Sequence, residues 1–162
     1  MPKYIGLVLT ALLCNACDST RDFERLRYDS DELTMRESAT YISLSGGACL
    51  GTCPDYGIYL LDDGTVHFQG RSRTVVRGIV TQRVRRTNFQ RLKRYLEESH
   101  AFESGDEGNC LTDFPTFNLV MVDATGKRQA FLDTGCGGER RDMIWEIVDT
   151  VARLTDTTPM IR

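Results

Sequence analysis

The sequence is short of the residues and patterns that mark most enzymes. Its 162 residues hold two histidines and one tryptophan. It contains no glycine-rich phosphate loop, no H-E-x-x-H and no G-x-S-x-G, so the phosphate-cradling, zinc-protease and serine-hydrolase signatures are all missing. No apolar run reaches the ~20 residues that a membrane span needs. Strong charge of one sign is also lacking: the net charge is −3, and mild acidity disfavours chain-wide binding of nucleic acid. There is no internal repeat and no low-complexity tract, which excludes solenoids and arrays. What remains is 41% apolar and 27% charged, the composition of an ordinary globular chain of one domain.

Six cysteines are many for a reduced compartment. Met1-Pro2-Lys3 is a short basic start, and Tyr4 to Leu13 behind it has the length of a signal-peptide core. Ala16 is small enough for a cleavage site and Cys17 follows it directly. Residues 1–16 thus resemble a bacterial lipoprotein signal, in which Cys17 would be the lipidated first residue of the mature chain. Cys14 and Asn15 depart from the usual pattern, and a plain secretory signal or an uncleaved stub are the alternatives. Cleavage before Cys17 would remove Lys3 and take the net charge to −4. Four cysteines would then remain beside the anchor: Cys49, Cys53, Cys110 and Cys136. An even number in an exported chain reads as two disulfides.

Residues 17–38 carry both charge signs and few apolar residues, as a tether does. The folded domain is expected over 39–155, with 156–162 as a C-terminal tail. Tyr41, Ile42 and Leu44 predict a first strand. Tyr56–Leu61 and Thr65–Gly70 predict a hairpin around Asp62-Asp63-Gly64. A two-residue Asp63-Gly64 turn would set Leu61 opposite Val66 and Tyr59 opposite Phe68, all four on one face. Arg71–Arg85 reads as a further strand or strand pair. Val76, Val80 and Val84 share one parity there, and Arg71, Arg73, Arg77, Arg83 and Arg85 share the other. Thr87 and Gln90 form a capping-box pattern at the start of a helix whose stripe is Phe89, Leu92 and Leu96. A second hairpin over Thr116–Asp133 precedes a last helix, Glu139–Leu154, with Ile144, Ile147, Val148 and Val151 as its buried stripe. Strands in hairpins followed by helices, without strand–helix–strand alternation, predict an α+β fold. Its mostly antiparallel sheet would carry two helices on one face.

The segment Cys49-Leu50-Gly51-Thr52-Cys53-Pro54-Asp55-Tyr56 resembles the C-x-G-x-C-P-x-Y motif of a bacterial family known as domain of unknown function 6438. Asp63-Gly64 follows, and Thr112-Asp113-Phe114-Pro115-Thr116 is similar to the T-D-x-P-[ST] segment of that family. The resemblance spans about Tyr41 to Leu154. It implies an exported or lipid-anchored protein with this fold, and it implies no reaction.

Cys49 and Cys53 flank a tight loop in which Gly51 permits the bend and Pro54 stiffens the exit. A structural disulfide is the plain reading. Thiol–disulfide exchange or metal handling by this pair is the alternative, although the spacing is not C-x-x-C and no second knuckle is present. Cys110 and Cys136 would pair with each other, tying a polar loop to the start of the last helix. His67 and His100 have no nearby nucleophile or carboxylate pattern, and the acids Glu103, Asp106, Glu107 and Asp113 do not follow the calcium-loop pattern. Trp145 sits beside the buried stripe and reads as packing.

Charge distribution is the strongest signal. Arg71 to Arg94 holds nine Lys and Arg and no acid, so the rest of the chain carries −12. Arg71, Arg73, Arg77, Arg83 and Arg85 could line one face and dock an anionic membrane surface or an acidic envelope partner. The alternative is a solvated face paired with Glu97, Glu98 and Glu103. The sequence thus leans towards a non-enzymatic binding module of the cell envelope that uses no cofactor, no metal and no nucleic acid.

Overall fold

The computed structural model describes residues 39–47, 49–103, 111 and 113–162. Residues 1–38, with the signal-like segment, Cys17 and the tether, lie outside the described residues, as do Cys110 and Thr112. The elements run β1 (Tyr41–Gly46), β2 (Asp55–Leu61), β3 (Thr65–Ser72), β4 (Gly78–Arg83), α1 (Thr87–Glu98), β5 (Thr116–Asp123), β6 (Gly126–Asp133), α2 (Glu139–Leu154) and α3 (Thr158–Ile161). All six strands join one antiparallel sheet in the order β4-β3-β2-β1-β5-β6. The fold is α+β, as the hairpin pattern predicts. Among the described residues no helix is long and apolar enough to cross a membrane.

Side-chain alternation decides which face of the sheet is buried. Ile42 and Leu44 of β1, Ile58 and Leu60 of β2, Val66 and Phe68 of β3, and Phe117, Leu119 and Met121 of β5 all enter one core. Phe89, Leu92 and Leu96 of α1 and Ile144, Ile147, Val148 and Val151 of α2 meet them there. Each such large side chain contributes roughly 1.5–3 kcal/mol on burial. The other face presents a row of facing residues, Ser43–Tyr59–His67–Thr81, across four strands.

The first hairpin differs from the expected register by one residue. Leu60 faces Val66 and Ile58 faces Phe68, so Leu61 and Tyr59 lie on the open face and not beside Val66 and Phe68. The cause is the turn, which uses three residues, not two. Gly64 at φ +86° closes it, its N–H donating to Leu61 O at 3.0 Å, and Asp63 Oδ1 accepts the Thr65 N–H at 2.8 Å. A one-residue slip moves a whole strand's side chains to the other face.

Both long helices end in the same way. After α1, Ala101 N–H donates to Leu96 O at 3.2 Å and His100 N–H to Glu97 O at 3.3 Å, with His100 at φ +53°. After α2, Thr157 N–H donates to Ala152 O at 2.9 Å and Asp156 N–H to Arg153 O at 3.3 Å, with Asp156 at φ +56°. These are Schellman turns in which His and Asp occupy the left-handed position that glycine usually takes. The second turn overturns the expected tail. It folds the chain back as α3 and sends Met160 and Ile161 into the core. Thr155 and Thr157 are fully buried in this turn and share a 2.9 Å hydroxyl bond.

The expected capping box is replaced at α1. Arg86 is the N-cap residue and Thr87 lies inside the helix, with no side-chain cap bond. The Arg85 and Arg86 carbonyls accept from Asn88 and Phe89 instead, at 2.8 and 3.2 Å.

Candidate functional site

The arginines do not share one strand face. β3 ends at Ser72 and β4 begins at Gly78, so Arg73 and Arg77 belong to the connection between them, Arg83 ends β4, and Arg85 leads into α1. The pairs Gly70–Gly78 and Thr65–Arg83 put Arg71, Arg73 and Arg77 at one end of the β3–β4 hairpin and Arg83 and Arg85 at the other. Parity along the chain cannot align residues across a reversal, and that is why the single-face expectation fails.

Arg71 is occupied by structure. Its Nε donates to Asp55 Oδ1 at 2.7 Å, and its Nη2 donates to Gly46 O at 3.1 Å and Tyr56 O at 2.9 Å. One guanidinium thus clamps the ends of β1, β2 and β3 beside a bulge in β2 at Asp55/Tyr56. Its fixed donors suit this fork geometry.

At the other end, Arg83, Arg85 and Arg91 surround a shallow open depression together with Arg153, from the last turn of α2. Asp156 is the one acid in its lining. The floor is fixed by amides: Gln82 Nε2 donates to Thr155 O at 2.7 Å and to Asp156 O at 3.1 Å, and Asn88 Nδ2 to Leu154 O at 2.8 Å. These bonds hold the end of α2 against β4 and the start of α1. Arg83 reaches Asp63 at 3.5 Å while its side chain stays 74% exposed, so this pair neutralises little of its charge. The Asp63 carboxyl is held below its usual range, first by the Thr65 N–H and hydroxyl and more weakly by Arg83 and Arg86. Arg85, Arg91 and Arg153 have no ion-pair partner among the described residues. Arg153 lies outside the Arg71–Arg94 run and was not among the candidate residues. Its only sequence signal is its place in the last turn of a predicted helix, where a cation suits the dipole.

Cys49 and Cys53 are disulfide-bonded in a loop whose tip is open to solvent, Leu50 being 86% exposed. Gly51 and Pro54 take part in this loop, and Tyr56 beyond it is buried between Phe68 and Phe117. Cys136 is also disulfide-bonded; its expected partner, Cys110, is outside the described residues. Asp113 is exposed and Pro115 buried. The Pro115 carbonyl accepts the Thr134 hydroxyl at 2.6 Å, which fastens the segment before β5 to the end of β6.

His67 shares a 2.9 Å bond with Thr81 on the open sheet face, and burial lowers its pKa. His100 contacts Glu103 at 2.6 Å on the surface. Among the described residues no three His, Cys, Asp or Glu side chains converge as a metal set. Trp145 packs edge-on against Phe117 at 5.8 Å.

Residues 40–155 match the family described as Domain of unknown function (DUF6438), and the chain belongs to it. No curated protein and no solved structure matches the chain.

Proposed function

We propose that this member of the family is a non-enzymatic binding module of the bacterial cell envelope, which docks an anionic surface through Arg83, Arg85, Arg91 and Arg153. The observation that carries the reading is the convergence of these four guanidiniums, from β4, the α1 approach, α1 and α2, on one depression with a single acid. Acidic phospholipid headgroups are the surface in question when Cys17 is acylated, because the anchor would hold the domain within reach of the bilayer. An acidic envelope protein is the counterpart when it is not.

Export is supported by the cysteine chemistry. Cys49–Cys53 and the disulfide at Cys136 suit an oxidising compartment, and the signal-like residues 1–16 supply a route to it. Cys110 is the partner we assign to Cys136. Leu111 and Gly135, the chain neighbours of the two cysteines, are bonded, Leu111 N–H donating to Gly135 O at 3.2 Å. Intact mass of the protein exported by its host tests this assignment and the anchor. Two bridges and an acylated Cys17 are expected, and a free Cys110 thiol would sink the pairing.

Docking is tested by sedimentation with vesicles, some containing phosphatidylglycerol and others purely zwitterionic. Each basic residue near an anionic membrane contributes ~1 kcal/mol, so R85Q/R91Q should weaken binding roughly thirtyfold at low salt. R73Q/R77Q, at the other end of the hairpin, should change it much less. Equal binding to zwitterionic vesicles, or an R85Q/R91Q protein that binds like the parent, refutes the reading.

A further inference from the structure

A second concavity shares no residue with the arginine depression. Between the Cys49–Cys53 loop and the two C-terminal helices lies a cleft of about 290 Å³. Tyr56, Phe117, Trp145, Val148, Ala152 and Ile161 give it an apolar wall. The motif residues Cys53 and Pro54 form one lip together with Pro115. At the mouth, Arg162 Nη2 faces Asp149 Oδ1 at 3.5 Å, and the two side chains are 69% and 70% exposed.

We propose that this cleft binds a free α-amino acid with a large apolar side chain, the side chain against Trp145 and Phe117, the carboxylate on Arg162 and the ammonium on Asp149. Size is the first argument. Ligand pockets run from roughly 300 to 1,000 Å³, and this cleft is at the lower limit, suited to a molecule of about ten heavy atoms.

Charge is the second argument. An exposed ion pair at this distance is worth little in water, so a ligand opens it cheaply. An α-amino acid carries its two charges on neighbouring carbons, close enough to meet both members of the opened pair. A fatty acid would leave Asp149 without a counter-charge, and an alkylamine would leave Arg162 without one. Tyr56 lies in the same wall. Burial pushes its hydroxyl up to about 12, Arg162 opposing the rise and Asp149 adding to it.

Trp145 is the only tryptophan, so emission from the full-length protein reports directly on the cleft. Titration with L-leucine and L-methionine should give saturable changes with a Kd below about 1 mM. N-acetyl-L-leucine and L-leucinamide, each lacking one charge, should bind at least tenfold more weakly. D149N and R162Q should each weaken L-leucine binding about tenfold without changing the melting temperature, because both side chains are exposed. Decanoate should not compete. The proposal is overturned if no saturation is seen up to about 10 mM, if the capped ligands bind as tightly as leucine, if both variants bind like the parent, or if decanoate binds more tightly than the amino acids. Vesicle sedimentation of D149N and R162Q should be unchanged, which keeps this site distinct from the arginine depression.

Discussion

Asp123, at the end of β5, bonds to side chains from α1, β6 and the β5–β6 turn, and its replacement by Asn has a defined consequence. Its Oδ2 meets Lys93 Nζ of α1 at 2.6 Å and Arg128 Nη2 of β6 at 3.3 Å. Its Oδ1 accepts the Thr125 N–H at 2.8 Å and the Thr125 hydroxyl. The side chain is 5% exposed. Arg128 continues to Glu97 at 2.8 Å and lies over the Phe102 ring, so the network ties the β5–β6 turn to the C-terminal half of α1. Asp123→Asn keeps the shape and the Thr125 bonds and removes the charge. Hydrogen bonds to charged groups contribute about 1.5–3 kcal/mol. Lys93 and Arg128 retain access to water, which places the expected loss at the low end, about 1.5–2 kcal/mol near neutral pH.

The pH dependence is the sharper test. The Lys93 ammonium, followed by the Thr125 hydroxyl and N–H, holds the Asp123 carboxyl well below the usual carboxylate range. On acidification the unfolded chain therefore takes up this proton first. The stabilisation is complete above the unfolded value of about 3.9 and shrinks as pH falls below it. Urea unfolding of the parent and D123N should show a constant gap from about pH 7 to about pH 5 and a smaller one near pH 3. A gap under about 0.5 kcal/mol at neutral pH, or one that persists unchanged at pH 3, refutes the reasoning.

Other substitutions probe different parts of the fold. Gly70→Ala would place a methyl 2.0 Å from the Val76 carbonyl oxygen, a clash with backbone that forces the β3–β4 connection to shift, so urea titration should show a loss of about 2–3 kcal/mol. Arg71→Met removes the clamp on Gly46 O, Tyr56 O and Asp55 and should cost about 2 kcal/mol, with faster hydrogen exchange of the β1 and β2 ends. His100→Gly and Asp156→Gly should each raise the melting temperature, by about 0.5–1 kcal/mol of added stability, because glycine takes the left-handed position without strain. A lower melting temperature for both would mean that the His100–Glu103 contact and the Asp156 side chain outweigh backbone strain.

What was legible in the sequence was whatever repeats with a period. The α1 and α2 stripes and Ile42 and Leu44 of β1 lie on the residues expected, because burial on one face imposes 3.6 and 2 directly on the chain. The misreadings share another cause: each depends on one residue's backbone angle or on a distant partner. Asp63-Gly64 suits a two-residue or a three-residue turn equally well by composition; Gly64 takes positive φ in either, and it is Asp63, which stays out of the left-handed region, that selects the longer one. Asp156 gives no helix-stop signal of the glycine kind, so the return into α3 was hidden although Met160 and Ile161 are apolar. The arginines illustrate the distant-partner case. Arg71 and Arg85 are equivalent by parity, yet Arg71 is committed to three acceptors on neighbouring strands while Arg85 faces the open depression with Arg153, 68 positions away. Local spacing carries the charge of such a surface but not its membership. The docking residues therefore follow from the β3–β4 reversal and the Gln82 and Asn88 bonds that bring the end of α2 alongside it. Breaking those amide bonds with Q82L/N88L should weaken vesicle binding as much as removing one arginine, about fivefold, while all four guanidiniums remain in the chain. Unchanged binding would show that total charge, not its arrangement, governs docking.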